Sequence, residues 1–469
     1  MDSSLGSPTQ QPKRPVSEDL SADPTCSQPS SSSFEVPLSS KRRKPCQHDS
    51  TGYNGNQFSA VAVAQRCPPH PGYIHGLCIK CGSLKLSDET AEESHVALRY
   101  IHTDFKISSH EAERIRSNEL KKLLLRKKLY LVLDLDHTLL NSTTFYEVTP
   151  KEDALLRAAY GVDANTTLEL HKDMDLHTLH NLQLYTKLRP FVHDFLEEAS
   201  KLFELHVYTM GDRAYAQTVA QILDPLGHLF GTRVISKAES TCRTTKDLDI
   251  LLSAESAVVI LDDTKAVWPN HRHNLIVMER YHFFGSSCKQ FWIANPSLLE
   301  AQKDESAEDG TLANTLNLLR QIHTAFFDGY YANERGTQSY EGKHDVRQIL
   351  PAIRSRVLAG CRLLFSGIFS TTLTSPNTHP LWQLAERLGA TCSTSVDANV
   401  THVVALDRGT QKAIWAQEAS RPLIHPRWIK AAYYIWKRPH EEDYPVPHTP
   451  DLTTYSKTVN KDRPNREIV

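Results

Sequence analysis

The sequence predicts an α/β protein. Its main body is an open parallel sheet with helices on both faces, followed by a smaller α/β unit, with an unstructured tail at each end. Three observations carry this reading. Apolar strand-like runs alternate with amphipathic helical segments from about residue 108 to residue 263, the pattern of crossover connections in a parallel sheet. Three of the runs end in polar residues at their carboxyl ends: "LVLDLD" (131–136), "LHVYT" (205–209) and "VVILDD" (258–263). After a polar stretch, "NERGTQSYEGK" (333–343), the alternation resumes on a smaller scale between 351 and 446.

The elements follow in chain order. Residues 1–66 are rich in Ser, Pro and Gln and poor in large apolar side chains, so they bury too little to offset chain entropy and are expected to be disordered. Two basic clusters in this tail, "PKRP" (12–15) and "SKRRKP" (40–45), read as nuclear import signals that an acidic receptor groove can capture. Residues 67–85 open with "CPPHPGYIHGLCIKCG". Here Cys67 and His70 are spaced C-x-x-H, and Cys78 and Cys81 C-x-x-C. Two such pairs suit the tetrahedral sulfur and nitrogen preference of zinc.

A larger unit spans 86–332. Residues 108–128 read as a helix, with Ser108 and Glu111 at capping-box spacing. The strand "LVLDLD" comes next, then a weakly periodic insertion at about 145–183. Residues 188–203 are expected to be helical, with Pro190 in the first turn. Strand 204–209, helix 212–223, strand 232–236, a short helix at 247–252 and strand 256–263 complete the alternation. A linker at 333–350 leads to the second unit at 351–446. That unit has strands at 362–367 and 401–406 and helices at 379–389, 410–419 and 426–438. The last residues, 447–469, are polar and expected to be disordered.

Composition narrows the function. The formal net charge of −2 gives no electrostatic drive toward nucleic acid or a membrane surface. No apolar run reaches the roughly 18 residues of a membrane span. The nine cysteines are scattered, and the N-terminus has no secretory apolar core, which points to reduced thiols. Neither direct nucleic-acid binding nor membrane association is expected.

In an open α/β sheet, ligands collect at the carboxyl ends of the strands. That edge would receive Asp134 and Asp136 from the first run, Thr209 from the second, and Asp262 and Asp263 from the third, with Lys246 between the last two. Any one of these residues has an ordinary structural explanation as a cap, turn or surface charge. Together they place four carboxylates in one cleft, where they would repel strongly without a cation. Mg²⁺ prefers such hard oxygen ligands. A lysine and a threonine hydroxyl can both donate to phosphate oxygens. A carboxylate can attack phosphorus, and a second one nearby can move the proton.

"DLDHTLL" resembles the D-x-D-x-T motif of the haloacid dehalogenase superfamily. With "YTKLRPFVHDFL" (185–196), "HVYTMGDRAYA" (206–216), "VVILDDTKAVWP" (258–269) and "NLIVMERYHFF" (274–284), the chain is similar to the RNA polymerase II C-terminal-domain phosphatases, and in detail to the plant CTD-phosphatase-like proteins. The resemblance implies a haloacid-dehalogenase-like Rossmannoid fold and an Mg²⁺-dependent protein serine/threonine phosphatase. Its substrate would be the phosphorylated heptad tail of RNA polymerase II, in the nucleus. It implies Asp134 as nucleophile and Asp136 as general acid/base that also ligates metal through its backbone carbonyl. Thr138 would brace the loop, and Thr209 and Lys246 would hold the phosphoryl group. Asp262 would be a metal ligand, and Asp263 a second ligand or its neighbour. Arg213 would steer a phosphopeptide.

The second unit resembles a BRCT domain through "LAGCRLLFSGIF" (358–369), "AERLGATCS" (385–393), "VTHVVAL" (400–406) and "HPRWIKAAY" (425–433). That implies Trp428 in its core. It also implies Ser366, Gly367 and Lys412 at the places that form a phosphate pocket in phosphopeptide-binding members, for a phosphopeptide or transcription-factor partner. Two rival readings accompany the phosphatase: an enzyme of the same superfamily acting on another phosphoprotein or a small phosphate ester, and a scaffold in which the BRCT unit alone works.

Overall fold

The computed structural model describes residues 67, 69–85, 95–99, 101–160, 175–334, 344–370 and 373–447. The expected N-terminal tail with its basic clusters, the C-terminal tail from 448 onward, part of the insertion and most of the linker lie outside the described residues.

The described chain opens with a small antiparallel sheet that the sequence reading did not foresee. Its strands are β1 (Gly72–Ile74), β2 (Leu77–Cys78), β3 (His95–Ala97) and β4 (Lys106–Ser108), in the order β2-β1-β4-β3. Helix α1 (Ser109–Leu125) follows at once, and the Ser108 hydroxyl accepts the Glu111 amide at 3.2 Å. This is the expected N-cap, which satisfies an amide that the helix itself cannot.

The main sheet starts with β5 (Leu129–Leu133), whose five residues are all buried. Strand β6 (Leu140–Thr144), helix α2 (Pro150–Tyr160) and strands β7 (Leu176–Leu179) and β8 (Leu184–Leu188) then form a side lobe. Its antiparallel sheet has the order β6-β8-β7, so the weakly periodic insertion contains regular structure. One expectation is corrected here. The helix expected from residue 188 begins later, as α3 (Val192–Leu202), because Leu184–Leu188 pairs with β6. Pro190 precedes the helix, in a turn where Phe191 takes φ +71°.

Strand β9 (Phe203–Tyr208), α4 (Arg213–Leu223), β10 (Val234–Ile235), β11 (Val258–Asp262), β12 (Leu275–Val277), α5 (Gly285–Gln290) and α6 (Thr311–Glu334) complete this part. The short helix expected at 247–252 is a single 3₁₀ turn, Leu248–Ile250. The sheet order is β10-β9-β5-β11-β12, parallel throughout. β5 is central, with β9 on one side and β11 on the other, so the strand order reverses there and opens a crevice at their carboxyl ends.

Helix α7 (Val346–Arg354) runs across position 351, where the sequence reading ended its linker. Then come β13 (Arg362–Ser366), α8 (Pro380–Arg387), β14 (Thr391–Ser393), β15 (His402–Ala405), α9 (Gln411–Glu418), β16 (Leu423–Ile424) and α10 (Arg427–Ile435). They build a second parallel sheet in the order β14-β13-β15-β16. Gly389, just past α8, takes φ +94°, and a Cβ there would lie 1.8 Å from the Ser355 carbonyl oxygen, so only glycine fits. Trp428 is fully buried, and its indole N–H donates to the Pro439 carbonyl at 3.0 Å. A continuous apolar core joins the two sheets through α6, α7 and α10. No described helix is long and apolar enough to cross a membrane.

Candidate active site

β5 ends at Leu133, and Asp134 to Leu140 curl into a tight loop. The amides of Thr138 and Leu139 donate to the Leu135 carbonyl at 3.2 and 2.9 Å, and His137 sits at φ +62°. The curl separates two carboxylates that an extended strand would have kept on one side. Asp134 stays over the sheet edge. Asp136 instead accepts a 2.5 Å hydrogen bond from the Tyr215 hydroxyl, one turn into α4. Tyr215 in turn lies 2.9 Å from Ser142 Oγ on β6.

Lys246 enters from the far side. Its ammonium lies 2.6 Å from Asp134 Oδ1 and 2.6 Å from Asp262 Oδ2, and it is almost wholly buried. Thr138 donates to the other Asp134 oxygen at 3.2 Å and accepts the Asp263 amide at 3.2 Å. The loop that starts at Asp134 and the end of β11 are thereby fixed to each other. Asp262 is held further by the Trp268 indole at 2.9 Å and the Thr264 amide at 2.8 Å. Asp263 is paired with Arg280 at 2.5 Å. Thr209 is buried at the end of β9, and its hydroxyl accepts the Gly211 amide at 3.0 Å. The carboxyl edge thus gathers Asp134, Asp136, Thr138, Lys246, Asp262 and Asp263 through direct contacts, with Thr209 ending the neighbouring strand.

The electrostatics follow from burial. Burial raises the Asp134 carboxyl well above the usual range, Asp262 adds to this, and Lys246 opposes it. Burial also raises Asp136, with the Tyr215 hydrogen bond pulling the other way. Asp262 is raised by burial and lowered by Lys246. For Lys246, burial disfavours the charge, but Asp134 and Asp262 outweigh it and hold the ammonium above the ordinary lysine range. Four carboxylates therefore share two cationic partners, Lys246 and Arg280. Ligand oxygens of Asp134, Asp262 and Asp263 lie within 4.8 Å of one another. A buried site short of positive charge and built from hard oxygens fits a divalent cation. Asp136 is outside this side-chain set, since its carboxylate is turned to Tyr215.

Several contributors were missed in the sequence. Tyr215 is one. Arg280 follows the end of β12, so the strand-end rule that found Asp262 could have found it. Arg189 is another: its fully buried guanidinium donates to the Thr138 carbonyl at 2.9 Å and clasps Glu305 at 2.9 and 2.6 Å.

The remaining predicted residues lie elsewhere. Arg213 is half-exposed at the start of α4, 2.9 Å from Glu239, on the rim of a groove of about 460 Å³. In the second sheet, Ser366 Oγ lies 2.7 Å from Thr410 Oγ1, Lys412 Nζ donates to the Phe365 carbonyl at 3.2 Å, and Gly367 takes φ +64°. All three therefore stand around the Thr410 turn. Cys67, His70, Cys78 and Cys81 also come together, with ligand atoms within 4.8 Å of one another.

Comparison with known proteins identifies the family. The family of NLI interacting factor-like phosphatases matches residues 129–310, and the BRCT (BRCA1 C Terminus) domain family matches 354–433. The chain is 46% identical over 375 residues to the RNA polymerase II C-terminal domain phosphatase-like 4 of Arabidopsis thaliana, covering 80% of this chain and 81% of that protein. It is 42% identical to phosphatase-like 3 of the same plant, over 74% of this chain but only 27% of that longer protein. Among solved structures, fission yeast RNA polymerase II CTD phosphatase Fcp1 bound to beryllium fluoride matches with a TM-score of 0.52 and 27% identity, over 71% of this chain and 100% of that one. The phosphatase family implies a divalent metal at the buried aspartates.

Proposed function

Since the chain belongs to the family of RNA polymerase II C-terminal domain phosphatases, we propose that it hydrolyses phosphoserine in the heptad repeats of that polymerase tail, using Asp134 as nucleophile. One observation carries the reading: the Lys246 ammonium touches both Asp134 and Asp262 at 2.6 Å, while Thr138 fixes the second Asp134 oxygen. This is a carboxylate held for attack beside a charge that can receive phosphoryl oxygens.

An Asp134 oxygen attacks phosphorus, and the bond from phosphorus to the serine oxygen breaks. The leaving oxygen takes the proton of Asp136, whose raised proton affinity suits an acid. Lys246 offsets the charge that spreads over the phosphoryl oxygens, and the Thr209 hydroxyl donates a hydrogen bond to one of them. Asp136, now ionised, then takes a proton from water as the water attacks phosphorus. The bond to Asp134 breaks, and inorganic phosphate leaves. Asp134, Asp262 and Asp263, with the Asp136 carbonyl, would hold Mg²⁺. Bound there, the ion would offset the carboxylate charge and polarise the phosphoryl group.

The substrate suits an open cleft, because a proline-rich tail is already extended and pays little entropy to bind. A cavity of about 230 Å³ on the side lobe, lined by Phe145, Val148, His180 and Tyr185 together with Asp153 and Thr178, offers aromatic faces on which a prolyl ring can stack. Residues 86–332 form the catalytic domain and 351–446 the BRCT domain. Ser366, Gly367 and Lys412 are the candidate contacts to a phosphopeptide or transcription-factor partner, and Arg213 a candidate contact to the substrate chain. The protein would act in the nucleus, where that polymerase works. The Cys/His cluster suits zinc.

The test is phosphate release from a panel of singly phosphorylated heptad peptides and from a sugar phosphate, with and without Mg²⁺. Mg²⁺-dependent release from the peptides, well above that from the sugar phosphate, is expected. Faster turnover of the sugar phosphate would overturn the substrate assignment.

A further inference from the structure

We infer that Cys67, His70, Cys78 and Cys81 form a structural zinc site, and that this site braces the segment carrying Lys246. Zinc bonds of about 2.3 Å to sulfur set tetrahedral ligand atoms roughly 3.8 Å apart, and the four ligand atoms here lie within 4.8 Å of one another. Cys81 Sγ is already 3.5 Å from His70 Nδ1. All the described cysteines carry free thiols, so no disulfide accounts for the cluster.

The turn around Cys78 is shaped for a bound thiolate. The Lys80 amide points at Cys78 Sγ at 3.4 Å, and the Ser83 hydroxyl lies 3.2 Å from Cys81 Sγ. Such an amide donor orients and stabilises a metal-bound sulfur, and the Ser83 hydroxyl, which accepts from the Cys81 thiol, is placed to donate to it once the thiol has lost its proton. Gly76 and Gly82 take φ +76° and +72° on either side of the knuckle, as tight reversals require.

The surrounding sheet needs support from outside its own core. Its strands are two or three residues long, and the apolar cluster beneath it has three buried members, Leu98, Ile107 and Ala112. A core this small does not offset the entropy of ordering the chain, and small units of this kind depend on a metal or disulfide. Zinc ligation supplies that stability directly.

The second half follows the chain onward, and it takes its importance from the phosphatase reading of Lys246. Strand β4 runs straight into α1 through Ser108. From α1, Arg116 donates to the Asp249 carbonyl at 2.8 Å and the Leu251 carbonyl at 3.4 Å. Leu252 packs on the same small cluster as the sheet. The 3₁₀ turn that begins two residues after Lys246 is therefore clamped to an element whose N-terminal anchor is the Cys/His site.

The experiment uses the full chain. Elemental analysis of the purified protein should find about one zinc per chain, and cobalt substitution should give the ligand-field absorption of a tetrahedral thiolate site. Cys78→Ser and, at the exposed position, Cys81→Ser should each lose the zinc. In both variants, amide hydrogen exchange in α1 and in residues 246–252 should speed up roughly tenfold or more, while the strands of the main sheet keep their protection. A chain that binds no zinc when offered it, or that holds these cysteines as a disulfide, overturns the site. Loss of zinc with unchanged exchange at 246–252 overturns the brace. Neither readout depends on turnover, so a failed phosphatase assay leaves both results interpretable.

Discussion

The Tyr215 hydroxyl donates its hydrogen bond to the ionised form of Asp136, so it lowers a proton affinity that burial has raised. Replacing it with phenylalanine removes only the lowering contribution. If Asp136 protonates the leaving serine, activity falls as pH rises through its pKa, so in Tyr215→Phe the alkaline limb of the kcat/KM profile should move to higher pH. An unmoved limb would remove Asp136 from the acid role. The cation has its own signature. Asp134, Asp136 and Asp262 all have folded-state proton affinities raised above the unfolded value. A group raised in this way favours the fold at pH below its unfolded pKa, and that contribution is lost as pH climbs through the folded pKa. The carboxylate centre therefore weakens the fold at neutral pH, and protons compete with a cation at acid pH. Mg²⁺ should raise the melting temperature near neutral pH and do so much less near pH 5. An equal shift at both would place the ion elsewhere. The ends of the apolar runs exposed Asp134, Asp136, Thr209, Asp262 and Asp263 in the sequence, because three buried strands ending in polar residues at one sheet edge are informative as a set. Tyr215 and Arg189 gave no such signal, since each matters through a partner far away in the chain.

At the scale of elements, the loop from Asp134 to Leu140 is held from behind by the segment after β8. Arg189 donates to the Thr138 carbonyl and clasps Glu305, which in turn accepts the Thr311 amide at the start of α6. Arg189→Met should therefore cost stability as well as rate, because Glu305 loses its charged partner and the Thr138 carbonyl its donor. The expected loss is about 3–5 kcal/mol in denaturant unfolding, the scale of breaking a buried ion pair. A loss below about 1 kcal/mol, within the range of surface ion pairs, would show that the clasp is not structural. The long apolar strands β5, β9 and β11 could be read from sequence because each is a nearly continuous buried run. β1 to β4 could not, since strands of two or three residues carry no period. The start of α3 was misread because the apolar residues of β8 continue the helical spacing backward into a strand that is set by pairing with β6.

Across the whole molecule, α6 links the two sheets. It packs on α3 on one side and on α7 and α10 on the other, inside one continuous core. The two units seen in the sequence are thus parts of one folded body, a relation that depends on helices the composition of 333–350 did not announce. Removing residues 344–447 would strip α6 of its packing against α7 and α10 and would uncover Phe326, whose ring lies against His344. The truncated chain should melt at lower temperature and lose catalytic activity, whereas the full chain should unfold in one transition followed alike by fluorescence and circular dichroism. Two separate transitions, with activity retained after truncation, would show independent domains.

The central claim is that Asp134 carries the phosphoryl group. Rapid quenching of the full chain with a radiolabelled phosphoserine heptad peptide and Mg²⁺, followed by peptide mapping, tests it directly. Label should appear on the peptide containing Asp134 and be released by alkali as an acyl phosphate. It should be absent from Asp134→Asn, whose turnover should fall by roughly 10³-fold or more, the scale of losing a nucleophile. Label on any other residue, or undiminished turnover by Asp134→Asn, would contradict it.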